Sequence, residues 1–137
     1  MPDTPLWKKL GIKPGYRVLV LNAPADYLHL LADLPDGVEL STEPLGDSQF
    51  DIVHGYVSSR ADLDRLAGPA MSNLKPGGAL WFSYPKKSSK VKTDMDRDNN
   101  WEPLTGAGLR VVTAISIDDT WSGLRFRPLS EVKSSKG

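Results

Sequence analysis

The chain has 137 residues, 39% of them apolar and 25% charged, and Lys plus Arg balance Asp plus Glu at 17 each. That composition suits one globular domain and excludes the net positive bias that nucleic-acid and anionic-membrane binders draw on. There is no cysteine, which excludes disulfides, thiolate metal sites and a cysteine nucleophile and fits a reducing cytoplasm. No apolar run approaches the roughly 18 residues of a membrane span, and no signal-peptide pattern opens the chain. A cytoplasmic protein with no membrane contact is the expectation.

Thr4 to Leu10 reads as a short amphipathic helix capped by Thr4, with Pro5 at its first position and Gly11 at its end. Tyr16 to Asn22 is the first strand, and its unbroken run Val18-Leu19-Val20-Leu21 predicts burial on both faces, as in a parallel sheet. Pro24 to Leu31 reads as a helix, Val38 to Thr42 as a second strand and Phe50 to Val57 as a third. Ser58 or Ser59 caps a helix that reaches Leu74, with a kink or restart expected near Gly68 because Pro69 interrupts the pattern. Lys75-Pro76-Gly77-Gly78 turns the chain into a fourth strand, Ala79 to Tyr84, which Pro85 ends. Lys86 to Lys92 is a basic loop, and Thr93-Asp94-Met95-Asp96 has the form of a capping box opening a helix to Thr105. Leu109 to Ile117 and Trp121 to Arg127 make a closing hairpin. Residues 1–129 are expected to form one α/β domain, and the polar tail 130–137 to be disordered.

In open α/β sheets ligands bind beyond the carboxyl ends of the strands. Those ends carry Asn22-Ala23-Pro24, then Tyr56, Ser58 and Ser59, then Pro85, Lys86 and Lys87. Together they predict a polar cleft with one positive wall, suited to a small anionic metabolite, although helix capping alone also accounts for the two serines. Other patterns carry less chemistry. Asp94 to Asn100 has the acidic spacing of a calcium loop but lacks its glycine and glutamate. His29 and His54, the only histidines, are not spaced as a local metal pair. His54 falls mid-strand, where a hydrogen-bonded core or ligand-facing side chain is expected rather than a catalytic base. The four tryptophans read as packing residues, with Trp121 placed to cover a cleft. The cations from Lys86 to Lys92 have no interleaved aromatics, so nucleic acid is not an expected partner.

Strands alternating with helices predict a parallel sheet with right-handed crossovers. Three segments resemble the class I S-adenosylmethionine-dependent methyltransferases: Lys13 to Leu21, Phe50 to Val53, and Leu74 to Leu80. The resemblance implies a shortened, three-layer, Rossmann-like methyltransferase-type fold. It has a mainly parallel six-stranded sheet, a C-terminal antiparallel hairpin, and one strand–helix unit missing after Thr42. Leu21 to Pro24, Tyr84 to Lys87 and Asp119 to Leu124 add a resemblance to a methyltransferase-like family of short bacterial proteins of unknown function.

The methyltransferase resemblance implies a turn of the form Asp/Glu-x-Gly-x-Gly after the first strand, and an acid at the second strand end that holds the ribose. Val20, Asn22 and Pro24 stand at the matching turn positions, so the acid and both glycines are absent. Asn22, Ala23 and Pro24 would line a cofactor there, and Glu43, or next Glu39, would be the ribose acid, although both also read as exposed charges at a strand end. Pro24 removes one N–H, and the Cβ atoms of Asn22 and Ala23 crowd the turn. The expectation is a non-catalytic ligand-binding or protein-interaction module with this fold. The alternatives are an atypical methyltransferase using S-adenosylmethionine on a small molecule, with Asn22, Glu43 and Tyr56 in its pocket, and a structural subunit or homodimer.

Overall fold

A computed structural model describes residues 6–23, 34–42, 49–86, 93–96, 100–117 and 120–128. The helix expected over 24–31, the basic loop 87–92 and the tail lie outside them. Helix α1, Leu6–Leu10, ends where Gly11 turns into the left-handed region at φ 83°. The Ile12 N–H then closes the last turn onto the Trp7 carbonyl at 2.9 Å.

Strands β1 (Arg17–Leu21), β2 (Glu39–Ser41), β3 (Phe50–Tyr56) and β4 (Leu74–Pro85) pair in parallel, and β6 (Trp121–Pro128) lies antiparallel between β4 and β5 (Leu109–Ser116). The described strands form one six-stranded sheet in the order β2-β1-β3-β4-β6-β5. The order reverses at β1, where β2 lies on one side and β3 on the other, and this switch opens the crevice that such sheets use.

Alternation along the strands divides the core into two layers. Leu19, Leu21, Val53, Leu80 and Phe82 pack against Leu63, Leu66, Ala67 and Ala70 of helix α2 (Arg60–Asn73) and against Leu104 of helix α3 (Glu102–Thr105). Val18, Val20, Ile52 and Trp81 pack on the other face against Leu10 and Ile12, at the end of α1. The Trp81 indole also donates to the Leu10 carbonyl at 3.1 Å, which fixes that helix to the sheet. This is the three-layer arrangement expected from the sequence, with both faces of β1 buried.

Local readings changed at three places. Helix α2 runs through Pro69 to Asn73 without a break. Pro69 costs the N–H that would reach Arg65, while its own carbonyl accepts from the Ser72 hydroxyl at 3.2 Å and the buried Asn73 amide at 2.7 Å. The helix expected from Thr93 shrinks to Glu102–Thr105. The Thr93 hydroxyl accepts from the Met95 N–H at 2.9 Å, a local bond that competes with helix formation. The Trp101 indole, bonded to the Asp96 carbonyl at 2.6 Å, ties Asp96 to the start of α3. Strand β4 begins earlier than expected, at Leu74, but the turn survives inside it. Phe50 pairs Leu74 and Ile52 pairs Ala79, so residues 75–78 bulge out, with Gly77 at φ 81°.

Candidate functional site

The carboxyl end of β1 leads into a left-handed turn. Asn22 takes φ 58°, in the region where a glycine is the usual occupant. Asparagine tolerates this region because its short amide bonds locally. Here that amide donates 2.9 Å to the Tyr56 carbonyl, tying the end of β1 to the end of β3 across the crevice. Asn22 and Ala23 are both exposed at this edge. Pro24, Glu43 and Lys87 lie outside the described residues.

Tyr56 is fully buried at the end of β3. Its ring meets Trp121 edge-on at 4.9 Å and lies 4.5 Å from the His54 ring. The tyrosine side chain therefore fills space between β3 and the closing hairpin. The His54 Nε2 lies 2.6 Å from the Ser83 hydroxyl, and both residues are at 0% exposure. A serine–histidine contact of this length has nucleophile–base geometry, but no substrate reaches a pair buried this way. Burial also pushes the His54 pKa down to about 3, so the ring is neutral at physiological pH. Of the core and ligand-facing readings of His54, the structure contains the hydrogen-bonded core side chain. Ser83 was not recognised from sequence, because the partner is set by the register that places Tyr56 beside Ser83.

Ser58 and Ser59 sit at the N-terminus of α2. The Ser59 hydroxyl accepts from the Asp62 N–H at 3.1 Å, and Asp62 returns a carboxylate oxygen to the N–H and hydroxyl of Ser58, both at 3.0 Å. The Ser58 N–H bond holds the Asp62 carboxyl below the usual carboxylate range, outweighing its partial burial. Asp94, from the segment ahead of α3, accepts from the Arg60 N–H at 2.8 Å. Two carboxylates thus occupy N–H groups at the α2 terminus that an anion would otherwise use. On the other side of the edge, Pro85 is buried, and Lys86 donates its N–H to the Thr120 carbonyl and its ammonium to the Ser116 hydroxyl, both at 2.7 Å. Of the expected site residues, Asn22 and Tyr56 are brought into contact. Ser58 and Ser59 are bonded to α2, and Lys86 to the hairpin. The partner roles of Asp94, Ser116 and Thr120 were missed in the sequence, where nothing marks a distant chain segment as a partner, whereas Asp62 stands at a local capping spacing from Ser59.

A SAM dependent methyltransferase from Aquifex aeolicus superposes with a TM-score of 0.62 at 17% identity, over 88% of this chain and 86% of that one. The fold is the Rossmann-like methyltransferase fold. A putative methyltransferase from Thermoplasma acidophilum gives 0.56 at 14% identity, over 94% of this chain and 76% of that one. DhpI in its complex with SAH also gives 0.56, at 17% identity, over 90% of this chain and 82% of that one. At such identities the likeness is one of fold. No protein-family model matches the chain, and no curated protein matches it. Among the described residues no helix is long and apolar enough to cross a membrane, and no cluster of His, Asp and Glu could hold a metal ion.

Proposed function

We propose that this protein is a methyltransferase-like binding module that does not transfer methyl groups. One observation carries the reading: the Asn22 amide spans from the β1 turn to the Tyr56 carbonyl, at the place where a glycine turn would leave backbone open to a cofactor. Three further features support it. The Tyr56 ring is buried against Trp121 of the closing hairpin, Asp62 and Asp94 hold the α2 terminus, and the serine–histidine pair is sealed in the core. In this reading the edge formed by exposed Asn22 and Ala23 and half-buried Lys86 meets a small anionic metabolite or a protein partner. Ser58 and Ser59 serve it as caps that shape the edge.

A second reading, an atypical S-adenosylmethionine-dependent methyltransferase, is favoured by the φ of Asn22. At 58° the backbone follows the left-handed path that glycine would take, so the turn keeps its shape without its usual residue. Calorimetric titration with S-adenosylmethionine and S-adenosylhomocysteine separates the two. The binding-module reading expects no saturable heat from the native protein at millimolar ligand. Micromolar binding, abolished by Asn22→Trp, would establish the second reading instead.

A further inference from the structure

The opposite end of the sheet carries a cleft of about 300 Å3. Its walls come from the segment between α1 and β1, the start of β3, the 75–78 bulge and the middle of β6. Lys13, Lys75 and Arg125 line it, with Asp51 as the acid among them. The charges are not equally spent. Asp51 accepts from the Lys75 ammonium and from the Arg17 N–H, each at 2.9 Å. Burial raises the Asp51 pKa, but these bonds and the nearby cations outweigh it and hold the carboxyl ionised. Lys75 is thereby neutralised within the wall.

Arg125 is different. It sits opposite Trp81 in the β4–β6 register, on the sheet face that α1 covers. Its Nε is buried and has no hydrogen-bond partner among the described residues. A buried unsatisfied donor on a charged group is costly. The Lys13 ammonium adds a second cation at the same cleft with no ion pair among the described residues. Gly77 and Gly78 also line the cleft. A Cβ on Gly78 would stand 2.7 Å from the Asp51 carbonyl, and one on Gly77 would meet nothing within 4 Å.

We infer that this cleft at the amino ends of the parallel strands binds a small phosphomonoester, with the phosphate held by Arg125 and Lys13. Lys13 and Arg125 have no ion pair among the described residues, and two such cations match the charge of a phosphate monoester near neutral pH. The guanidinium fork matches phosphate oxygens, and the ammonium supplies a mobile second charge. A volume at the lower end of the range for ligand pockets admits a substituent of a few carbons but no nucleotide. The site is separate from the Asn22 edge, so it stands whichever reading of that edge holds.

Calorimetric titration of the full chain with glycerol 3-phosphate tests the inference, with glycerol and succinate as comparison ligands. Saturable binding of glycerol 3-phosphate is expected, with none of glycerol. Lys13→Ala and Arg125→Gln should each weaken it about tenfold or more, the loss typical of one charge-assisted contact. Lys13 lies on an exposed turn, so its variant keeps the test decisive if Arg125→Gln does not fold. Absence of saturable heat at millimolar ligand would overturn the inference, as would affinity unchanged by Lys13→Ala. Succinate binding as tightly as glycerol 3-phosphate would overturn the choice of phosphate.

Discussion

Asn22 concentrates the question of function in one side chain. Its φ of 58° is costly for most L-residues, by about 1–2 kcal/mol, and its amide bond to Tyr56 offsets part of that. Replacement by glycine relieves the φ cost and gives up the bond, so Asn22→Gly should leave stability within about 1 kcal/mol of the native protein. Asn22→Val combines a β-branched side chain with loss of the bond and should destabilise by roughly 2–3 kcal/mol. Urea unfolding of both variants checks this, and equal effects would mean that the left-handed turn is not rigidly held. The residue type was readable in advance as a departure from glycine. Its conformation was not, since the sequence around Asn22 allows either an extended or a left-handed backbone.

Among the elements, α2 shows how a local signal and a distant one combine. Ser59 before a helical run is a capping signal readable from sequence, and the Ser59–Asp62 bond is its expression. The cover that Asp94 gives the Arg60 N–H is not readable, because it comes from a segment 34 residues away. Ser59→Ala should cost about 1 kcal/mol of global stability. Because Asp62 and Asp94 keep their own bonds to the terminus, the variant should still fold with native helix content by circular dichroism. The 93–105 region shows the reverse. Its capping-box letters were present, but Thr93 bonds two residues ahead and Trp101 is drawn into the core against Phe82 and Phe126, so tertiary packing overrides the helix pattern.

For the whole molecule, two core layers meet at the sheet, and one polar pair is sealed within it. Ionised His54 is disfavoured in the fold, where its pKa falls to about 3 through burial, against an ordinary 6.5. Between those values the unfolded chain binds more protons than the folded one, so stability rises with pH across that window. The contribution is full above the unfolded pKa and is lost as pH falls toward the folded one. Near pH 5.5–6.5, where most carboxylates are still ionised, the slope from this group approaches roughly 1 kcal/mol per pH unit. Urea unfolding across that range should show this slope in the native protein and lose most of it in His54→Gln. His29 is common to both proteins and cancels in the difference. Identical slopes would show that His54 is not held neutral by burial.

The sequence by itself determined the layer order. Val18 to Leu21 had to be buried on both faces, and the 75–78 glycines had to turn the chain. These are local consequences of side-chain periodicity and backbone freedom, so they are written in adjacent residues. Tertiary structure alone decided the sites. It joined Asn22 to Tyr56, His54 to Ser83 and Asp94 to Arg60, and it gathered Lys13, Lys75 and Arg125 around one cleft. Each of those meetings depends on strand register and crossover path, which bring together residues far apart in the chain, and no local pattern encodes which distant partner will arrive.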